Sequence, residues 1–184
     1  MTLSQRTFQE RPPLYVLRFA SCDLRPVTLP PFTPNLLVPV LEENAPARVV
    51  NLSSMVHEQA HIDPDSPMLE EEWKPFKAYA QSKFANVLFT RELAARLQGT
   101  GITVNALHSG VIGTKLLHTM FGGGASPEEG ARTPVYLAES SEVEDISGRY
   151  FRGTSPAPSP VLHGGRTDAR RLWEKSAELT GLEA

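Results

Sequence analysis

The sequence predicts an α/β protein, a parallel sheet with helices on its faces, and three observations predict it. Two short β-branched runs, Ala47 to Ser54 and Ile102 to His108, flank one long helical pattern from about Phe76 to Leu97. Strand, helix and strand in that order make a right-handed parallel crossover. Both runs are nearly continuous in apolar residues, the mark of strands buried on both faces, and both stop in polar or glycine residues. At 184 residues the chain is the size of one domain, and a compact chain of this length buries about 70% of its unfolded surface.

Composition narrows the class further. A formal charge of −3 and a pI near 6.0, with both signs interspersed, give no basic surface of the kind nucleic acid requires. The single cysteine, Cys22, excludes an internal disulfide framework, agrees with a reducing compartment and reads as a passive residue. No run approaches the ~18 apolar residues of a membrane span, and Met1 to Glu10 is too polar for a secretory signal. The expectation is a soluble, cytoplasmic protein with no membrane span.

The elements follow in chain order. Six prolines between Pro12 and Pro34 break up any long element, so residues 1–34 read as irregular, with one short strand at Leu14-Tyr15-Val16-Leu17 in a mobile arm. From Asn35, Leu36, Leu37, Val40 and Leu41 fall at helical spacing, and Asn44, Ala45 and Pro46 end the run. Ala47 to Leu52 is then a buried strand that delivers Ser53 and Ser54 at its carboxyl end, where open α/β sheets bind ligands. A strand-end serine also satisfies local backbone groups, and that plainer reading stands beside the first. Residues 55–77 form a polar connection; His57 and His61 within it lack a third ligand, so no metal site is predicted.

The helix to Leu97 carries Ala80, Phe84, Val87 and Leu88 as an apolar stripe and stops at Gly99 and Gly101. Beyond the second strand, Ser109 to Thr114 forms a glycine turn that suits close approach of a ligand or a plain tight turn equally. Residues 115–125 suit a flap or a short packed helix. Ser126-Pro127-Glu128-Glu129 is a capping-box helix start, with the helix running to about Leu137. Ile146 to Phe151 reads as a strand, Gly153 to Gly165 as a loop, and Thr167 to Thr180 as a terminal helix capped near Gly181.

One pair carries chemistry. Tyr79 and Lys83 stand four apart, so on a helix they share a face. A free phenol ionises near pH ~10, and a neighbouring cation favours the ionised form, which fits tyrosine for proton exchange with a substrate oxygen.

Taken together, Val49-Val50-Asn51-Leu52-Ser53-Ser54, Tyr79-x-x-x-Lys83, and Val104-Asn105-Ala106-Leu107-His108-Ser109-Gly110 followed by Thr114 resemble the short-chain dehydrogenase/reductase superfamily. The similarity runs from about Asn35 to the C-terminus. Leu88-Phe89-Thr90-Arg91-Glu92-Leu93-Ala94, Ser126-Pro127-Glu128-Glu129-Gly130, Ser147-Gly148-Arg149-Tyr150-Phe151 and Arg171-Leu172-Trp173-Glu174 resemble its retinol dehydrogenase-like branch. The resemblance implies that residues 35–184 are the C-terminal catalytic half of a Rossmann-like domain, with Tyr79 as general acid/base. It further implies that Lys83 acts on the tyrosine and holds the nicotinamide ribose, and that Ser54 binds the substrate oxygen. Gly110, Val111, Ile112 and Thr114 match the loop that holds the nicotinamide end of NAD or NADP. Here Ser109-Gly110 replaces the family's usual Pro-Gly.

The resemblance departs at the other end. The first glycine of the chain is Gly99, so no earlier residue supplies the glycine-rich turn that a dinucleotide's pyrophosphate needs. The expectation is an incomplete Rossmann-like sheet in a truncated chain, with apolar strand edges exposed. Two readings follow. One is an NAD(P)-dependent oxidoreductase interconverting a small-molecule alcohol and a carbonyl, lipophilic and retinol-like. The other is a catalytically impaired remnant acting as an interaction or dimerisation module, a homo-oligomer through the helix at 76–97.

Overall fold

The computed structural model describes residues 14–15, 32–63, 74–113, 123–159 and 166–181. Its centre is a sheet of five strands in the order β1 (Leu14–Tyr15), β2 (Ala47–Leu52), β3 (Ile102–His108), β4 (Tyr150–Arg152), β5 (Ser155–Pro156). The first four run parallel and β5 returns antiparallel to β4. β2 and β3 pair along the whole of β2, from Ala47 against Ile102 to Leu52 against Leu107. Of the short strand predicted at residues 14–17, Leu14 and Tyr15 are described, and they pair parallel to β2 on its outer side; residues 16 and 17 lie outside the described residues.

Period-two alternation in β2 and β3 sorts side chains onto two faces. Ala47, Val49, Ile102 and Val104 face one layer, made by α1 (Phe32–Glu43), α2 (Pro75–Arg96) and α4 (Arg166–Thr180), where they meet Leu41, Phe89, Leu93, Leu97, Trp173 and Ala177. Val50 and Leu107 face the opposite layer, packing on Leu137 of α3 (Pro127–Glu139) with Val143 and Phe151. Helices on both faces are what buried parallel strands require. α2 and α4 are joined by Phe89 and Trp173, stacked at 5.3 Å between ring centroids and 4° between planes, with the Arg96 guanidinium over the indole at 4.4 Å.

Several boundaries differ from the sequence expectation. α1 begins at Phe32 rather than Asn35 and contains Pro39; Pro34 lies in its first turn, where no N–H has an intrahelical partner to lose. The segment expected as a strand from Ile146 forms one only from Tyr150 to Arg152. Before it, the buried Asn105 side chain takes the edge groups of a loop, donating to the Ile146 carbonyl at 2.6 Å and accepting from the Arg149 N–H at 3.0 Å. The loop expected from Gly153 opens with β5. Ser126 caps α3 as expected, accepting from the Glu129 N–H at 3.2 Å while the Glu129 carboxylate accepts from the Ser126 N–H at 3.1 Å.

Candidate active site

The carboxyl end of β2 runs into the middle of α2, and hydrogen bonds join them. The Ser53 hydroxyl donates to the Lys83 carbonyl at 2.7 Å. The Lys83 ammonium donates to the Leu52 carbonyl at 3.4 Å, and the Asn86 amide to the same oxygen at 3.0 Å. Lys83 is a buried lysine, 8% exposed, on a type of residue that buries its charge only against partners. Its Nζ stands 5.6 Å from the centroid of the half-buried Tyr79 ring. The four-residue spacing therefore places the cation beside the phenol, and the turn of α2 that carries them faces the end of β2.

The two strand-end serines have different work. The Ser53 hydroxyl donates to the Lys83 backbone carbonyl and is thereby fixed to α2. Ser54, buried, starts a 3₁₀ turn over Met55–Gln59 with extended backbone (φ −156°, ψ 155°), and its hydroxyl oxygen accepts from the Val56 N–H at 3.5 Å. An accepted bond does not use the hydroxyl proton of Ser54. The plainer reading describes Ser53 in full and Ser54 only in part.

The loop after β3 follows the carboxyl end of the strand next to β2. Gly110 has φ 98°, a left-handed conformation that side chains rarely adopt, followed by Val111, 53% exposed, and by Ile112. Ile112 pairs with Ala125; the Ala125 N–H donates to the Val111 carbonyl at 2.8 Å and the Gly113 N–H to the Ala125 carbonyl at 2.9 Å. Gly130 in α3 accepts the Ile112 side chain against its backbone: a Cβ there would stand 2.8 Å from Ile112 Cγ1. Thr114, and with it most of the expected flap at 115–125, lies outside the described residues.

These residues test whether a nicotinamide dinucleotide fits. Gly110 and Val111, exposed just past the carboxyl end of β3, leave backbone open to close approach by a ligand, and Tyr79 and Lys83 lie where α2 meets the end of the neighbouring strand β2. No glycine stands among residues 1–98 to hold the pyrophosphate. Among the described residues no group of three His, Cys, Asp or Glu is arranged to hold a metal ion.

A polar cluster that the sequence reading passed over lies at the same end of the sheet. His57, fully buried, has Nδ1 2.6 Å from the Ser54 carbonyl oxygen and Nε2 2.8 Å from the Ser159 hydroxyl, and its ring meets the buried Tyr150 ring edge-on at 4.5 Å and 64°. Arg152, at the end of β4, pairs with Glu58 of the same 3₁₀ turn and stands in register with His108. Burial holds the His57 and His108 imidazoles below the ordinary histidine range, with the Arg152 cation acting in the same direction and Glu58 opposing. The signal present in the sequence was the position of His57 three residues after Ser54; its partner Ser159 lies 102 positions away.

The chain is similar to known proteins in sequence and in fold. Residues 32–122 match the short chain dehydrogenase family model. The chain is 45% identical over 172 residues to human retinol dehydrogenase 13, covering 82% of this chain and 50% of that protein. It is 41% identical over 159 residues to bovine retinol dehydrogenase 12, covering 80% of this chain and 50% of that one. Among solved structures, an uncharacterized protein from Mycobacterium Paratuberculosis superposes with a TM-score of 0.59 at 31% identity, over 74% of this chain and 51% of that one. The chain spans about half the length of the curated relatives it matches.

Proposed function

Because the chain belongs to the short-chain dehydrogenase/reductase superfamily, in its retinol dehydrogenase-like branch, we propose that it carries the proton-transfer machinery of an NAD(P)-dependent oxidoreductase interconverting an alcohol and a carbonyl. The observation that carries this reading is the Lys83 ammonium set 5.6 Å from the centroid of the Tyr79 ring where α2 is joined to the end of β2, with Ser54 two residues beyond that end. Ser54 donates a hydrogen bond from its hydroxyl to the substrate oxygen and orients it. Tyr79 delivers a proton to that oxygen in reduction and removes one from the alcohol in oxidation. Lys83 sets its positive charge beside the phenol, where negative charge develops as the proton leaves, and hydrogen-bonds the nicotinamide ribose. Leu52 holds Lys83 from behind through its carbonyl. A bound nicotinamide supplies the hydride donor or acceptor, and Gly110, Val111, Ile112 and Thr114 are assigned to hold that end of it. Three exposed apolar side chains adjoin the three site elements in sequence, Met55 after Ser54, Phe76 one turn before Tyr79 and Val111 after Gly110. They favour a lipophilic, retinol-like substrate.

A second reading, a remnant that associates through α2 without holding a dinucleotide, is favoured by the absence of glycine before Gly99. Titration with NADH and NADPH, followed by nicotinamide fluorescence and thermal shift, separates the two. Saturable binding supports the oxidoreductase and no binding supports the remnant. Where turnover is measured, Tyr79→Phe should lower kcat by about 10²- to 10⁴-fold with cofactor affinity unchanged; retained turnover would remove Tyr79 from the proposed role.

A further inference from the structure

We infer that His57 is a positioning residue for Ser54, locked in one tautomer by Ser159, an inference that rests on the oxidoreductase reading above. The Ser54 carbonyl accepts twice from His57, from its backbone N–H at 3.1 Å and from Nδ1 at 2.6 Å. A carbonyl oxygen carries no proton, so Nδ1 must be the protonated nitrogen of the ring. In the neutral ring Nε2 is then an acceptor, and the Ser159 hydroxyl 2.8 Å away donates to it. The bond to Ser159 thus selects the tautomer that donates to Ser54.

The need for such a device follows from the site. Ser54 is the second residue past β2, and among the described residues its own hydroxyl makes a long 3.5 Å contact to the Val56 N–H. The peptide plane past Ser54 is held from the turn, by the His57 backbone N–H and by its imidazole, which is fully buried, pressed edge-on against Tyr150, and joined to the segment after β5. Ser54 is thereby referenced to the segment after β5 as well as, through its neighbour Ser53, to α2. A serine free to swing by about an ångström would lose much of its effect on a reacting oxygen, on the order of 100-fold.

The test compares substitutions by which donor they keep. Asparagine places its amide N–H near the position of Nδ1, whereas glutamine reaches toward that of Nε2. With retinal as substrate and NADPH or NADH in the full chain, His57→Gln should lower kcat about 10- to 100-fold with KM and cofactor Kd unchanged, and His57→Asn should restore kcat to within about threefold of wild type. Equal losses in both folded variants, or none in either, would overturn the proposal. Should His57→Gln fail to fold, Ser159→Ala carries the same expectation, with Ser159→Thr as the rescuing variant. Imidazole ¹⁵N NMR supplies a readout independent of turnover: His57 should be protonated on Nδ1 in wild type and become a tautomer mixture in Ser159→Ala. A wild-type ring protonated on Nε2 would overturn the positioning role even in an active chain. A wild-type chain without turnover but with the Nδ1 tautomer would sink the oxidoreductase reading while leaving the His57 tie in place.

Discussion

A buried hydroxyl that accepts from one neighbour and donates to another ties two elements with a single atom, and Thr90 is such a residue. Its Oγ1 accepts from the Asn51 amide of β2 at 2.8 Å and donates to the Asn86 carbonyl of α2 at 2.7 Å, with Thr90 1% exposed. Thr90→Val preserves shape but leaves the buried Asn51 N–H without its acceptor, so stability should fall by about 1–3 kcal/mol. Thr90→Ser should recover most of that loss, and urea denaturation of the two variants measures both. At this scale the sequence was legible where partners are near in the chain. Tyr79 and Lys83 are adjacent because a helix repeats every ~3.6 residues, and no tertiary knowledge was needed. The carbonyl that anchors Lys83 belongs to Leu52, 31 positions earlier, and the hydroxyl that anchors His57 to Ser159, 102 positions later. Side chains with a free choice of distant partner leave no period to read.

Elements whose ends are written in local chemistry were correspondingly easy to place. α3 begins where Ser126, Pro127 and Glu129 say it should, because the capping box satisfies the orphan N–H groups of the first turn within four residues. Ser126→Ala should therefore cost about 1 kcal/mol of stability, read as a shift in urea midpoint without a change in m. The consequence reaches the site, since Gly130 in the same first turns carries Ile112 of the loop after β3. β4 was harder because its β-branched and aromatic pattern extends back to Ile146, yet Asn105, Ser147 and Gly148 convert that stretch into a loop. The Val104 N–H donates to the Ser147 hydroxyl at 3.0 Å and the Gly148 N–H to the Val104 carbonyl at 2.7 Å, with Gly148 at φ 73°. A side chain on the neighbouring strand decided where pairing became regular, and strand propensity is known to yield to such context. α1 shows the opposite override. Pro34 and Pro39 argue against helix locally, but Leu41, fully buried against Val49 and Leu93 in the core, holds the element in place.

Across the whole molecule, the parallel strands all point their carboxyl ends at one region, and that region gathers His57 from the turn after β2, His108 from β3, and Tyr150 and Arg152 from β4, with Glu58 beside them. Crowding two imidazoles and a guanidinium there has a thermodynamic consequence. Burial first, and the Arg152 cation second or later among the causes, hold both histidines below their ordinary pKa, while Glu58 and, for His57, the Ser54 carbonyl pull the other way without reversing the shift. A group with a lower pKa folded than unfolded binds fewer protons in the native state. Stability is therefore full above the unfolded value near ~6.5 and declines as pH falls toward the folded value, with a slope of up to about 1.4 kcal/mol per pH unit for each histidine. Ordinary carboxylates titrate near pH ~4, below this window, so the histidines govern it. Urea midpoints measured from pH 8 down to pH 5 should be flat to about 6.5 and then fall, and His108→Gln should remove part of the fall without touching the Ser54 carbonyl. A midpoint that stays level or rises through this range would mean that acid does not penalise the folded state at the strand ends, contrary to the burial that places both rings there.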